Sequence, residues 1–368
     1  MKVLTVLGTR PEIIRLSRII PRLDALCDHA VVHTGQNFDP ALSDRFFDEL
    51  GLRAPDHHLG IRAIGFGDQV GRILSAFEPL LLEVRPDRLL ILGDTNSGLT
   101  ALVGKRHGVP VCHLEAGNRC FDDRVPEEVN RRVIDHASDL LMPYTRRSRD
   151  NLIAEGVESR RIHVVGNPIR EVIEHYRPRI EASDVRRRLG VGAKEYLLVT
   201  LHRAENVDSD LRLARLVGGL ERVHREHGHP VIVSTHPRTR SRLDALGLGG
   251  DGLRFAEPFG LFDFVALELD ALCVLTDSGT VQEECCILKV PNVTLRDVTE
   301  RPETLDCGSN ILTGDEPDAV LRGVRVALAR GAGWTPPEEY LAAAVSSTVA
   351  GIVLGHVPRR GEASPDRR

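Results

Sequence analysis

Four titratable side chains stand at or near the ends of short apolar runs, at Asp94, Glu115, Glu127 and His202. Burial among apolar groups, or beside another acid, raises the pKa of a carboxyl towards neutrality. Such a carboxyl can take or give a proton at neutral pH. Any one of these acids alone is more often a helix cap or part of a surface ion pair. Their recurrence at several predicted strand ends favours an acid/base centre.

The segment "GTRPEIIR" has the features of an anion site. Gly8 stands at a predicted tight turn, Pro11 at a first helical position and Arg10 at the mouth of that helix. Backbone N–H groups at a helix N-terminus attract anions, and a guanidinium adds positive charge. A capped helix with a surface arginine explains the segment equally well, so this motif alone leaves both interpretations open.

A second candidate anion site is "TDSGTVQEE", where a predicted strand turns into a helix. The backbone N–H groups of Ser278, Gly279 and Thr280 suit a diphosphate. One turn further, Glu284 could accept hydrogen bonds from a sugar diol, as acids bind ribose hydroxyls in dinucleotide folds. A Ser/Thr cap followed by acids is also a common start of a helix, so this motif alone is weak.

The sequence lacks the motifs of several common classes of functional site. The first predicted strand is not followed by G-x-G-x-x-G, which argues against a simple dehydrogenase, and the chain has no P-loop and no G-x-S-x-G elbow. The histidines have no zinc-site spacing. The seven cysteines include no C-x-x-C pair, which indicates reduced thiols in a cytoplasm.

The composition narrows the class of partner. A formal net charge of -5 argues against wholesale binding to nucleic acid or to an anionic membrane. No apolar stretch approaches about 18 residues, the length that indicates a membrane span. The opening "MKVLTVLGTR" is predicted to be a first strand, since no small-residue cleavage site follows it.

Short apolar runs alternate with amphipathic segments along the whole chain, a pattern typical of parallel βαβ units. "RPEIIRLSRIIPRL" and "DQVGRILSAFEPLLLEV" have helical spacing. Each half is therefore predicted to be a doubly wound sheet. The predicted strands are "KVLTVL", "AVVHTG", "RLLILG", "VPVCHLE" and "DLLMPY" in the first half, and "EYLLVTLH", "PVIVSTH", "LRFAE", "ALCVLTD" and "NVTLR" in the second.

The length of 368 residues predicts two domains that meet at a cleft. We expect an N-terminal domain of residues 1–167 that carries the acids, and a nucleotide-binding domain of residues 168–355 whose last helix is able to pack back on the first domain. The polar stretch 356–368 is predicted to be a disordered tail.

Taken together, these motifs resemble the non-hydrolysing UDP-N-acetylglucosamine 2-epimerases over nearly the whole chain except its tail. The segments that carry the resemblance are, in order, "GTRPE", "TGQNFD", "LGDTNS", "EAGNR", "PEEVNR", "LHRAEN", "TDSGTVQEE" and "RDVTERPE". The resemblance implies a glycosyltransferase-B-like fold of two Rossmann-like domains, with a UDP-sugar in the cleft, and a homodimer. It also implies inversion of C2 of a UDP-N-acetylhexosamine by elimination of UDP to a 2-acetamidoglycal and re-addition, with neither NAD nor metal.

The resemblance assigns roles to individual residues. Asp94, Glu115 and Glu127 match the acid/base carboxylates of the family, and His202 matches the histidine that supports departure of UDP. The UDP ligands that it implies are Arg10 and Arg301 at the diphosphate, Ser278, Gly279 and Thr280 as the anion nest, Glu284 at the ribose and Phe264 beside uracil.

Departures from the common pattern concern the substrate and its regulation. The usual lysine of the first motif is Arg15, and the second glycine after Ser278 is Thr280. The short loop "RCFDDRVPEE" resembles the branch that forms UDP-N-acetyl-L-fucosamine. The motifs of the family's activator site are replaced by "GQNFD" and "STHPRT", which puts activation by substrate in doubt.

Three other functions remain open at this point. A glycosyltransferase of the same fold would share the UDP contacts but has no need of the carboxylates. A catalytically silent UDP-sugar sensor would lose at least one of them. The sequence does little to distinguish a hydrolysing epimerase, which releases the free sugar, from a non-hydrolysing one.

Overall fold

The computed structural model describes residues 1–36, 46–63 and 65–356, with the exception of the side chains of residues 237 and 238. The end of "TGQNFD" and the predicted tail from residue 357 therefore lie outside the described residues. The chain forms two compact units, one of Met1–Val172 together with the segment from Ala342, the other of Ile173–Leu341. The sequence places the boundary at residue 167, whereas the observed division falls after Val172 and the last helix belongs to the first unit.

The first unit contains a six-stranded parallel sheet in the order β3-β2-β1-β4-β5-β6. Its strands are β1 (Lys2–Leu7), β2 (Asp28–His33), β3 (His57–His58), β4 (Arg88–Leu92), β5 (Val111–Leu114) and β6 (Leu140–Met142). Its helices are α1 (Arg10–Leu16), α2 (Ile19–Leu26), α3 (Phe66–Val84), α4 (Ala101–Arg106), α5 (Pro126–Ala137), α6 (Arg146–Ala154) and the first turn of α7 (Ile169–Glu181).

The second unit contains another six-stranded parallel sheet, in the order β12-β11-β10-β7-β8-β9. Its strands are β7 (Leu197–Leu201), β8 (Val231–Thr235), β9 (Leu253–Ala256), β10 (Cys273–Thr276), β11 (Asn292–Thr294) and β12 (Asn310–Leu312). Its helices after α7 are α8 (Val185–Leu189), α9 (Ala204–Val207), α10 (Asp210–His227), α11 (Pro237–Ala245), α12 (Leu261–Asp270), α13 (Gly279–Leu288), α14 (Pro302–Asp306) and α15 (Pro317–Arg330).

Both sheets have their first strand in the middle, where it is largely buried, as expected for a strand that is covered on both faces. In the first unit, Val6 of β1 pairs with Val32 of β2 and with Ile91 of β4. In the second unit, Val199 of β7 pairs with Val233 and Leu275 in the same way. Counted from its own first strand, each sheet has the strand order of a Rossmann fold. The predicted doubly wound α/β class is therefore confirmed.

The last helix, α16 (Val345–Leu354), packs against α2 in the first unit. Its buried side chains include Val345, Val349 and Val353. At its start, the Ser346 N–H donates to Glu171 Oε2 at 2.8 Å, and Arg22 Nε donates to Ser346 Oγ at 3.1 Å. Within the described part of the chain, no helix has the length and apolar character to cross a membrane.

Candidate active site

Several of the predicted functional residues lie just after the carboxyl ends of strands, beside the point where each sheet reverses its strand order. In α/β sheets of this kind that point forms a ligand-binding crevice. Arg10 follows β1, and Asp94 follows β4, its neighbour in the sheet. His202 follows β7, and Ser278 follows β10, its neighbour in the second sheet. The first two residues belong to the first unit and the last two to the second unit.

The loops after β1, β2 and β4 approach each other closely at Gly8. A Cβ atom on Gly8 would lie 2.2 Å from both Ser97 Oγ and Thr34 Oγ1, so only glycine fits. Those two hydroxyls are 2.7 Å apart, and Gln36 Oε1 accepts hydrogen bonds from the N–H and hydroxyl of Ser97. The glycine of "GTRPE" therefore allows three strand ends to meet.

Glu12 is a buried acid at this meeting point that the sequence did not single out. It forms a capping box with Thr9, since Oε2 accepts from the N–H groups of Gly8 at 2.9 Å and Thr9 at 2.7 Å. Oε1 accepts from Thr95 Oγ1 at 2.9 Å. Burial raises the pKa of Glu12 to about 7, in spite of these hydrogen bonds. The signal that could have found it is the T-x-x-E spacing before the first helix.

Glu115 is held as an anion at the end of β5. It is buried and forms an ion pair with the buried guanidinium of Arg15. The Tyr144 hydroxyl donates to its Oε2 at 3.1 Å, and Asn118 Nδ2 donates to its Oε1 at 3.2 Å. Its φ of 71° lies in the left-handed region, which is unusual for a residue other than glycine and is concentrated at functional sites.

A buried charge network fixes the backbone that follows Glu115. Asp135 accepts hydrogen bonds from Arg119 Nη1 at 2.8 Å and from the Gly117 N–H at 3.1 Å, and its Oδ1 lies 2.8 Å from His113 Nδ1. Burial by itself would raise the pKa of Asp135, but His113 and Arg119 hold it below its ordinary value. In the motif "EAGNR", Glu115 is therefore the candidate reactive acid, whereas Arg119 fixes the backbone through Asp135.

Asp94 lies at the end of β4 beside a buried arginine. Arg131 donates to Asp94 Oδ2 through Nη2 at 2.6 Å and through Nε at 3.0 Å. Asn130 Nδ2 donates to the backbone carbonyl of Asp94 at 3.0 Å. The Asp94 side chain remains 24% exposed, whereas that of Arg131 is 2% exposed. The carboxylate is therefore accessible to solvent, and the buried guanidinium of Arg131 neutralises its charge.

The adjacent acids Glu127 and Glu128 in the first turn of α5 have different environments. Glu128 is buried and accepts from Arg131 at 2.6 Å, Arg132 at 3.0 Å and the backbone N–H groups of Cys120 and Phe121 at 3.0 and 3.1 Å. Burial would raise its pKa, but the Cys120 N–H and Arg131 hold it below its ordinary value. Glu128 thus fixes the loop, and the half-buried Glu127 is the acid of this pair with side-chain surface to offer a ligand.

In the second unit, His202 lies beside a buried aspartate that the sequence did not assign. His202 Nδ1 is 2.9 Å from Asp277 Oδ1, and Asp277 Oδ2 accepts from the N–H groups of His202 and Arg203, each at 2.9 Å. Burial by itself would raise the pKa of Asp277, but His202 and these N–H groups lower it to about 2. The aspartate therefore orients the imidazole, whose side chain remains 49% exposed.

The predicted anion nest lies at the N-terminus of α13. Ser278 is the N-cap residue, Gly279 is buried, and Thr280 is half-buried. A Cβ atom on Gly279 would lie 2.5 Å from Glu300 Oε1, so glycine is required there. Arg301 Nε lies 2.5 Å from Glu283 Oε1, which fixes this arginine close to the start of the helix. Backbone donors and a guanidinium are thus brought together, as a diphosphate site requires.

The remaining predicted ligands have mixed surroundings. Arg10 is exposed and stacks on the Phe46 ring, with 5.2 Å between its Cζ and the ring centroid. Glu284 is 4% exposed on α13. The Phe264 ring is 7% exposed and packs in the core of the second unit, so its place beside uracil stays a prediction.

Comparison with known proteins places the chain in a family. The family model for UDP-N-acetylglucosamine 2-epimerase matches residues 22–357. The UDP-N-acetylglucosamine 2-epimerase of Methanocaldococcus jannaschii is 41% identical over 347 residues, which are 92% of this chain and 95% of the relative. The UDP-2,3-diacetamido-2,3-dideoxy-D-glucuronate 2-epimerase of Pseudomonas aeruginosa is 37% identical over 336 residues, which are 90% of this chain and 93% of that one.

A solved structure has the same fold. The Methanocaldococcus jannaschii UDP-GlcNAc 2-epimerase, in complex with UDP-GlcNAc and UDP, superposes with a TM-score of 0.91 at 40% identity, covering 96% of this chain and 99% of that one. The fold is therefore the glycosyltransferase-B-like pair of Rossmann-like units that the motifs predicted. This chain belongs to the UDP-N-acetylglucosamine 2-epimerase family and is an isomerase of the epimerase class.

Proposed function

We propose that the protein inverts C2 of a UDP-N-acetylhexosamine, with UDP-N-acetylglucosamine as its first substrate. The observation that carries the proposal is a pair of carboxylates, Asp94 and Glu115, at the ends of the neighbouring strands β4 and β5. Each of them forms an ion pair with a buried arginine. Each is a carboxylate whose position is fixed by its arginine, and a carboxylate in a fixed position can accept a proton from a bound substrate. The names of the relatives support a UDP-N-acetylhexosamine as the substrate.

The proposed reaction is an elimination followed by re-addition. A carboxylate takes the C2 proton, the C2–H electron pair forms the C1=C2 bond, and the C1–O bond to UDP breaks. The 2-acetamidoglycal then receives a proton at the opposite face of C2 and the UDP oxygen at C1. Atoms and electrons balance, so no oxidant is consumed. At least one of Asp94, Glu115 and Glu127 serves each face of C2.

The second unit is proposed to stabilise the leaving group, UDP, with hydrogen-bond donors and positive charge. The N-terminus of α13, Arg301 and the His202–Asp277 pair together offer donors and positive charge to a departing diphosphate. Because Asp277 is ionised well below neutral pH, it stabilises a positive charge on His202 when that ring faces the diphosphate. His202 is therefore proposed to assist departure of UDP, and the carboxylates of the first unit to move the proton.

An assay with three UDP-sugars measures which sugar the site prefers. The purified protein is incubated in turn with UDP-N-acetylglucosamine, the UDP-2,3-diacetamido-glucuronate of the Pseudomonas relative and the UDP-6-deoxy-L-talosamine derivative that leads to UDP-N-acetyl-L-fucosamine. Proton NMR follows appearance of the 2-epimer. We expect turnover of the first substrate. Turnover of the third alone would instead support the L-fucosamine branch, and turnover of none would contradict the proposed function.

A further inference from the structure

An acid interrupts the apolar face of α12. Leu261, Phe264 and Val265 are buried at helical spacing, and the next position on that face is Glu268, which is 0% exposed. The surrounding core consists of apolar side chains such as Leu198, together with those of α13. A glutamate is almost never fully buried in such a place without a partner.

The group that faces Glu268 is another carboxyl. Its side chain is in hydrogen-bonding contact with that of Glu284 on α13, which is 4% exposed. Within the residues that the structure describes, neither oxygen of Glu268 receives a hydrogen bond from an N–H group or a hydroxyl. Two carboxyl groups in contact can form a hydrogen bond only if one of them keeps its proton.

The surroundings determine which acid keeps the proton. Burial, and then the charge of Glu284, raise the pKa of Glu268 well above its ordinary value. Glu284 lies nearer the surface, on a helix whose N-terminus carries positive potential. Glu268 is therefore the neutral acid and Glu284 the carboxylate. The same arrangement is known from pairs of carboxyl groups that share one proton.

Among the described residues, the ionisable groups around Glu268 other than Glu284 are neutral or bound to other partners. Burial raises the pKa of Cys285 and of Tyr196, so both are neutral. Lys194 Nζ donates to the backbone carbonyls of Leu269 and Ala271, and Asp270 is paired with Arg186 at 2.7 Å. The ionisable groups that face the pair from the packed elements are Cys273, Cys285, Tyr196, Lys194, Asp270 and Arg186.

We propose that Glu268 is a positioning residue for ribose recognition, whose neutral carboxyl donates a hydrogen bond to Glu284 and fixes it as an anionic acceptor for the 2′,3′-diol of a nucleotide. This rests on the proposed function, in which Glu284 binds ribose. A carboxylate has about four lone-pair positions, so it can accept a hydrogen bond from Glu268 and from ribose hydroxyls at the same time. Binding of a ligand to a mobile side chain costs conformational entropy. The hydrogen bond from Glu268 orders the Glu284 side chain before the nucleotide binds, so this entropy is not lost on binding.

Two substitutions separate the hydrogen bond from the packing. E268Q keeps a donor, since its amide can donate to Glu284, whereas E268L keeps apolar volume and supplies no donor. Calorimetry measures the Kd of UDP and of 2′-deoxy-UDP for each protein, and thermal unfolding confirms that each is folded. We expect the wild type and E268Q to prefer UDP over 2′-deoxy-UDP to a similar extent. In E268L that preference should fall by on the order of tenfold.

The proton itself has a spectroscopic signature. The infrared difference spectrum, wild type minus E268Q, should contain the carbonyl stretch of a protonated carboxyl at neutral pH, and this stretch should shift in deuterium oxide. The subtraction cancels any band of Glu12, which both proteins retain. This measurement needs no nucleotide and only the folded E268Q variant, so it decides the proton's place even if E268L does not fold.

The outcomes are distinct. Absence of the protonated carboxyl band, or an E268L variant that keeps the full preference for UDP, overturns the inference. A wild-type protein that shows the band but does not bind UDP contradicts the proposed function instead, together with the ribose role of this pair. The band together with a lost preference in E268L alone is the result that we expect.

Discussion

At the scale of single residues, the candidate site contains fully buried acids and acids that keep accessible surface. Glu128 and Asp135 are each held by several donors, whereas Glu127 and Asp94 keep accessible surface. The sequence marked the candidate acids by their neighbouring glycines and predicted strand ends. It could not identify their partners Arg15 and Arg131, because these pair with acids 100 and 37 positions away in the chain.

The neighbouring acids of α5 give a matched pair of variants. E127Q should lower the rate of epimerisation at least about a hundredfold, because a proton-transfer group contributes that much, with little change in UDP binding or in Tm. E128Q should mainly lower Tm, because it weakens the acceptor of two arginines and two backbone N–H groups. NMR turnover and thermal unfolding of both variants measure this. Equal turnover in E127Q and the wild type would remove Glu127 from the mechanism.

Glu12 predicts how stability depends on pH. Its folded-state pKa of about 7 lies above its ordinary value of 4.5, so the unfolded chain loses this proton first as pH rises. Stability from this group is therefore complete below about pH 4.5 and is lost as pH rises through 7, by roughly 3 kcal/mol in all.

E12Q should lack that loss, because Gln is neutral throughout and can still accept from the N–H groups of Gly8 and Thr9. Urea unfolding of both proteins from pH 5 to 8 gives the free energies of unfolding, and their difference isolates Glu12 from the histidines. A difference that does not change with pH would contradict the buried, neutral acid.

At the scale of elements, the helix starts and strand ends explain why these motifs are where they are. Ten of the strands were predicted. The two that were not, His57–His58 and Asn310–Leu312, are short edge strands whose residues give no apolar run. The segment "RPEIIRLSRIIPRL" was predicted as helical, but it is two helices, α1 and α2, with a break at Ser17 and Arg18. Periodicity identifies helical segments more reliably than it identifies their ends.

The meeting of three loops at Gly8 gives a test at this scale. Gly8→Ala should destabilise the fold by about 1–3 kcal/mol, because its Cβ would lie 2.2 Å from two hydroxyl oxygens that are themselves hydrogen-bonded. Gly71→Ala is the control, since Gly71 is exposed in α3 and a Cβ there meets no described atom within 4 Å. That change should stabilise by about 0.5–1 kcal/mol. Similar unfolding free energies for both variants would contradict the close approach.

At the scale of the whole molecule, one strand order occurs twice, with the candidate acids on one copy and the predicted anion nest on the other. The sequence predicted both sheets, because each repeats the same alternation of apolar strands and amphipathic helices. It grouped the last helix with the second domain, since neighbours in sequence are usually neighbours in space. It also allowed that helix to pack back on the first domain, but it could not name the contacts of α16 with α2 and Glu171, because these join residues far apart in the chain.

A chain that ends at Leu341 should therefore lose stability in its first unit. The valines of α16 are buried there, and each contributes about 1.5 kcal/mol or more. We expect the midpoint of urea unfolding to fall markedly, whereas a chain that ends at His356 should unfold like the full-length protein. Equal midpoints for the three chains would show that α16 contributes nothing to the unit.

The most direct test of the central claim follows the hydrogen at C2. The protein is incubated with UDP-N-acetylglucosamine in deuterium oxide, and NMR measures the C2 proton and the amount of 2-epimer together. We predict that the UDP-linked 2-epimer appears with deuterium at C2, because the proton that is removed exchanges with solvent before its return. A new epimer that keeps its original hydrogen, or no exchange with any UDP-N-acetylhexosamine, would contradict proton abstraction by the strand-end carboxylates.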